Sequence, residues 1–239
     1  MYNILIIDMD LLVENNNILE PELKPEKKIK IAILLSGRIN EHYDQYENIR
    51  NNLAGDNDVD FFISYPKNTN SEIVQNVTFI YNPKEIIEND ELYKNVDGSY
   101  NYMHANKHDV ICMYLSRFNL GNIFKSYINK HNINYDIVIS SRMDITFHEK
   151  LNLNDKFEFI NNNFLYIPNI EHDHGGINDQ LAIGNSNTII QYLNLYEHIN
   201  NILDPEEKFH PEILLYKYIN MMNIDVSRFY IIYFIILGI

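Results

Sequence analysis

A short apolar run, Tyr135-Asp136-Ile137-Val138-Ile139, passes directly into Ser140, Ser141, Arg142 and Asp144, a cluster of hydrogen-bonding and charged groups. Polar side chains where a buried strand leaves an open α/β sheet face the crevice in which ligands bind. A guanidinium there can contact a phosphate or a ribose directly. The plainer alternative is a strand-to-turn exit whose Arg142 pairs with a surface carboxylate. A second run, Lys30-Ile31-Ala32-Ile33-Leu34-Leu35, also stops at polar residues, Ser36-Gly37-Arg38. Gly37 allows a ligand to approach the backbone, and Ser36 and Arg38 can donate to a base or a diphosphate. A bare strand-to-helix turn would have the same residues. The third group is His172-Asp173-His174-Gly175-Gly176, followed by Asn178-Asp179-Gln180. His172 and His174 alternate around Asp173 as metal ligands could, although a hydrogen-bonded loop is the commoner use of such a stretch.

These groups need elements to position them. The Lys30 run is continuously apolar, as a strand buried on both faces of a parallel sheet must be. Glu41 to Leu53 has helical spacing in Tyr43, Tyr46, Ile49 and Leu53. Asp58–Tyr65 reads as a second strand closed by Pro66, and Val77–Tyr81 as a third ended by Asn82-Pro83. Glu85 to Tyr102 is acidic and irregular and is expected to be a loop over the crevice. His104 to Asn132 reads as one long helix, or two joined at Gly121. His104, Lys107 and His108 at its start could face a phosphate, or form only a solvated first turn. After the Tyr135 strand come strands at 164–168 and 181–184, a helix from Asn185 to about Leu203, and a helix over 210–222. His210-Pro211-Glu212 opens that last helix, with Pro well placed at its start. Ile224 to Ile236 is expected to end the sheet. The order of strands and helices predicts an α/β fold with a mostly parallel, Rossmann-like central sheet flanked by helices.

The chain has 239 residues, 46% of them hydrophobic, enough for one sizeable core and hence one domain. Its formal net charge of −14 argues against a nucleic-acid partner, which needs a basic face. It is compatible with a divalent metal and a neutral sugar or alcohol substrate. Cys112 is the only cysteine, so no intramolecular disulfide can form, which suits a reducing compartment. Met1 to Asp10 lacks a basic start and is interrupted by Asp8 and Asp10, unlike a secretory signal. The apolar stretch Phe229 to Ile239 is too short to span a bilayer, so no transmembrane segment is expected. Residues 1–28 read as an arm or extra strand before the main domain, 29–239. There is no P-loop, Rossmann glycine fingerprint or Gly-x-Ser-x-Gly elbow.

Taken together, the order of signals over about residues 30–225 resembles nucleotide-sugar glycosyltransferases of the GT-A fold, especially the small capsule, surface-glycan and giant-virus types. The likeness rests on the Ile31–Leu35 strand ending in Ser36-Gly37-Arg38 and on the strand ending in Arg142-Met143-Asp144. It rests also on Asn178-Asp179-Gln180-Leu181-Ala182-Ile183-Gly184 and on the late Pro211-Glu212. The resemblance implies transfer of a sugar from a nucleoside-diphosphate sugar, first of all a UDP-sugar, to a glycan or glycoprotein acceptor. It implies Ser36, Gly37 and Arg38 beside the nucleotide, Arg142 and Asp144 beside the diphosphate, and Asp179 as the base on the acceptor hydroxyl in an inverting enzyme or as a contact to the acceptor or donor sugar in a retaining one. Asp144, with His210 as a further ligand, would hold Mn²⁺ or Mg²⁺, yet Arg142 stands where the family's motif has its first Asp. The cytoplasm is the expected location, or the host cytoplasm or a virion if the giant-virus likeness extends to origin. Two other readings stand beside it. One is a glycan- or nucleotide-binding protein of the same fold without turnover. The other comes from Asp8-Met9-Asp10, which follows a hydrophobic run as the nucleophile motif of haloacid-dehalogenase-type phosphatases does, but lacks the usual Gly-Thr turn.

Overall fold

β1 (Lys30–Ser36) is the middle of the molecule, and five consecutive residues, Ile31 to Leu35, have no solvent exposure at all. Because side chains alternate along a strand, its apolar run feeds two cores. Ala32 and Leu34 belong to one, and Ile31, Ile33 and Leu35 to the other. A computed structural model describes residues 28–39, 45–90, 101–102, 106–151, 153, 163–169, 175–204 and 208–236. The expected arm (save residue 28), with Asp8 and Asp10, lies outside the described residues, as do His104 and the His172-Asp173-His174 triplet.

β1 pairs in parallel with β2 (Asp58–Pro66) on one side and with β5 (Ile137–Arg142) on the other. Naming the remaining strands in chain order gives β3 (Glu85–Asn89), β4 (Asn101–Tyr102), β6 (Ile145–Phe147), β7 (Leu165–Pro168) and β8 (Leu181–Gly184). β9 (Lys208–Phe209), β10 (Val226–Phe229) and β11 (Tyr233–Ile235) complete the set. The seven-stranded sheet runs β10-β7-β8-β5-β1-β2-β3, and only β8 is antiparallel to its neighbours. This is the expected α/β architecture, a mostly parallel central sheet with helices on both faces. α1 (Tyr46–Leu53) and α2 (Ser71–Tyr81) cover one face together with the antiparallel β6–β11 ribbon. α3 (Lys107–His131), α4 (Ser186–Leu193), α5 (Leu195–Ile202) and α6 (Pro211–Met221) cover the other.

Several expected elements changed on folding. Val77–Tyr81 is not a strand but the end of α2, which Asn70 caps by accepting from the Glu72 N–H at 2.8 Å. Val77 and Tyr81, four apart, are buried while Phe79 is 88% exposed, so the helical period overrides the β propensity of the residues. The third strand is instead β3, inside the segment expected to be a loop. Its backbone continues the sheet beyond β2, and its exposed Glu85 and Glu88 blunt an open edge. α3 passes through Gly121 unbroken, whereas the helix expected over 185–203 divides at Asn194. Of the C-terminal segment, β10 ends the sheet and β11 leaves it to pair with β6.

α3 is held across the ends of the strands by a buried polar knot. Asn89 Nδ2 donates to Ser64 Oγ at 2.7 Å and to Ser116 Oγ at 3.0 Å, and Ser64 Oγ donates to the Ser116 carbonyl at 3.0 Å. The contact fastens the middle of α3 over the carboxyl ends of β2 and β3, and so fixes where the next residue, Arg117, sits.

Candidate functional site at the carboxyl end of the sheet

From β1 the chain builds outward through β2 to β3, while β5 and all later sheet strands lie on the opposite side of β1. The crevice of such a sheet opens where that order reverses, between β1 and β5. Ser36 and Arg142 are directly opposite in this register. The turn 36–38 and the Arg142-Met143-Asp144 turn therefore leave adjacent strands at one rim. Gly37 has φ +115°, and its N–H donates to the Ser64 carbonyl at 3.2 Å, which bends the chain over the end of β2. Arg38 follows, exposed, and with Pro66, Lys67, Asn68 and Thr69 lines an open cleft of about 350 Å³. Arg38 has no ion pair among the described residues, and Lys67 pairs with Asp90 at 3.1 Å. Ser36, Ser140 and Ser141 are all at most 5% exposed, so the polar face of the crevice is narrower than the sequence suggests.

Arg142 does pair with a carboxylate, and the carboxylate is that of Asp144. Arg142 Nε donates to Oδ1 at 2.7 Å and Nη2 donates to Oδ2 at 2.5 Å, a planar fork closed across Met143, which is itself 1% exposed. The hydrogen bonds that Arg142 donates to Asp144 raise the pKa of the guanidinium, and burial works against them. Asp144, Asp179 and Arg117 all act on its charge. Nη1, with both its protons, has no partner among the described residues.

Asp179 reaches the same rim from the other direction. β8 runs antiparallel to β5 with Leu181 opposite Ser141, so the residues just before β8 lie near the end of β5. The Asp179 side chain is 6% exposed, and Oδ2 lies 3.2 Å from Nη1 of Arg117, which is 4% exposed. That contact is a charge pair rather than an aligned hydrogen bond. Arg117 Nη2 donates at 2.6 Å to the Asp179 main-chain carbonyl, and the Tyr192 hydroxyl donates to the same carbonyl at 3.1 Å. Burial opposes the Arg117 charge, but Tyr192, Asp179 and Tyr114 outweigh it and raise its pKa. Sequence reasoning missed Arg117. Its signal was position: it falls three residues after Tyr114 on the buried stripe of α3, where a charge must have a partner.

The same cluster makes alkaline pH destabilising. Burial pushes the Tyr192 hydroxyl up to about 12, and burial with the nearby Asp179 carboxylate raises Tyr114 well above its ordinary value. In the unfolded chain both ionise near the ordinary tyrosine value of 10.0. The folded state therefore holds its protons longer, and this share of stability is intact below pH 10 and lost as pH rises through about 12. For Tyr192 alone the loss is on the order of 3 kcal/mol. Following unfolding by circular dichroism beside tyrosinate absorbance should show the two changing together. Ionisation of all tyrosines before any loss of helical signal would refute the assignment.

His210, 7% exposed, stands at the start of α6 with Nδ1 against Glu212 Oε2, both side chains largely buried. Among the described residues no three His, Cys, Asp or Glu side chains gather into a group that could hold a metal ion. Gly176 packs against this helix start, and the Ile177 N–H donates to the Glu212 carbonyl at 3.2 Å. The Tyr114 hydroxyl donates to the Pro211 carbonyl at 2.7 Å, so α3, α6 and the loop carrying Asp179 lock together. Asn178 Nδ2 donates to the Tyr233 hydroxyl at 2.8 Å and ties that loop to β11.

No protein-family model matches the chain, and no curated protein matches it. Among the described residues no helix is long and apolar enough to cross a membrane.

Proposed function

We propose that the chain is a GT-A-like glycosyltransferase that moves a sugar from a nucleoside-diphosphate sugar, a UDP-sugar first, to a glycan or glycoprotein acceptor. The observation that carries the proposal is the opposition of Ser36 and Arg142 across the β1–β5 switch point, beside the cleft lined by Arg38. In this reading the nucleoside occupies that cleft, and the diphosphate lies against Arg142 and Arg38. The acceptor hydroxyl oxygen bonds to the anomeric carbon while the bond from that carbon to the β-phosphate oxygen breaks. The electron pair leaves with the nucleoside diphosphate, whose growing charge Arg142 stabilises. The hydroxyl proton passes to Asp179. Arg117 engages Oδ2 of that residue, and Oδ1 has no partner among the described residues.

Mn²⁺ or Mg²⁺, which the resemblance implies at Asp144 and His210, does not fit Asp144 as this chain holds it. Both carboxylate oxygens already accept from Arg142. A divalent ion about 4 Å from that guanidinium meets about 8 kcal/mol of repulsion at an effective dielectric of about 20. The fixed cation cancels what a single carboxylate offers.

A second reading, binding without turnover, is favoured by the ion pairs at both Asp144 and Asp179. The phosphatase reading has less support. Among the described residues the strand at the switch point is β1, and it is followed by Ser36-Gly37-Arg38. Calorimetry with UDP, GDP and CDP, followed by assay of nucleoside-diphosphate release from the matching sugars, separates these. Binding with release is expected. Binding with no release under any sugar or acceptor supports the second reading, and no binding of any nucleotide rejects both. Phosphate-ester hydrolysis abolished by Asp8→Asn would replace them with the phosphatase.

A further inference from the structure

The Arg142–Asp144 fork has a consequence for how the anion is held, and it rests on the nucleotide-binding reading above. Asp144 uses an oxygen for each of two donors, Nε and Nη2, and so fixes the plane of the guanidinium. The fork leaves the Nη1 edge, with two N–H groups, without a partner among the described residues, on a side chain that keeps 33% exposure at the rim. Only a guanidinium can hold a carboxylate with one edge and offer donors from another, because an ammonium has a single nitrogen. Arg38, exposed at the neighbouring strand end, supplies a second positive charge. We infer that Arg142, clamped by Asp144, does at the diphosphate what a divalent cation does elsewhere, so that this protein binds its nucleotide without a metal. Asp144 is then a positioning residue: it orients the arginine and holds no ion.

The test is calorimetric titration of the full chain with UDP, GDP and CDP, first in EDTA and then in excess Mn²⁺ or Mg²⁺. The nucleotide that binds should do so with the same affinity, within about threefold, in all three buffers. Arg142→Ala should weaken it at least about tenfold, the usual range for a lost charge-assisted bond. Arg142→Lys should rescue little of that, since lysine cannot make the fork. Asp144→Asn should weaken it only a few-fold, equally with and without metal. Thermal melts of the three variants separate loss of fold from loss of binding, and the wild-type comparison between buffers needs no variant at all. Binding that requires Mn²⁺ or Mg²⁺, or tightens about tenfold or more with them and loses that gain in Asp144→Asn, would overturn the inference while leaving the nucleotide site standing. No binding of any of the three nucleotides in any buffer would overturn both.

Discussion

Arg117→Ala should lower stability by about 3–5 kcal/mol, the range for removing one partner of a buried ion pair. The loss comes from Asp179, whose side chain stays 6% exposed with its counter-charge gone, and from the freed main-chain carbonyl of the same residue. Tyr192 still donates to that carbonyl, so the loop loosens rather than detaches. Urea unfolding followed by circular dichroism measures the effect, and a cost below about 1 kcal/mol would show that the pair is not buried as described. A matched apolar pair, Arg117→Met with Asp179→Leu, should recover most of the stability, because the desolvation of two charges is no longer required. If the proposed chemistry holds, that double variant should lack transferase activity, since Asp179 is the proposed proton acceptor. Recovered stability with retained activity would remove Asp179 from the proposed chemistry.

Gly176→Ala is expected to be nearly as costly for a different reason. A Cβ there would lie 2.3 Å from the Glu212 carbonyl carbon and 2.5 Å from its oxygen. These are main-chain atoms of α6, so no rotamer change relieves the overlap and one of the two segments must move. The N–H of Ile177, bonded to that same carbonyl, moves with it. Overpacking of this kind costs about 3 kcal/mol, and here the displaced loop also carries Asp179. Thermal unfolding and the proposed sugar transfer should fall together, while nucleotide affinity, which the proposal assigns to Arg38 and Arg142 rather than to the Asp179 loop, should fall less. A loss of nucleotide affinity as large as the loss of transfer would mean that the loop carrying Asp179 also holds Arg142 in place. Gly37→Ala makes a useful contrast: space is open around the added Cβ, but φ +115° suits few L residues, and the strain falls on the nucleotide side.

The residues of this chain differ in how far their own neighbours decide their fate. The unbroken apolar run of Ile31 to Leu35 can be satisfied only between two layers, so its composition alone marks β1 as a central parallel strand. The same holds for Ile137–Ile139, for the apolar stripe of α3 and for the polar residues that end the two strands. Val77–Tyr81 and Glu85–Asn89 were exchanged because short mixed segments carry weak periodicity. Which of them extends the sheet depends on the open edge of β2, a partner remote in the chain.

The site divides along the same line. That Arg142 and Asp144 would stand at a strand end was legible; that Arg142 would pair with a surface carboxylate was one of two readings, but that the carboxylate would be that of Asp144 came only from the turn at Met143. Arg117 carried no motif at all. Its role exists only because Asn89, Ser64 and Ser116 set the height of α3, and because β8 runs backwards and brings Asp179 to the same end of the sheet. Sequence by itself determined which segments had to be buried and which polar groups would stand at their ends, since hydrophobic periodicity is a local property. Only the tertiary structure decided which charges meet, because a buried charge takes its partner from whatever the strand order brings within reach.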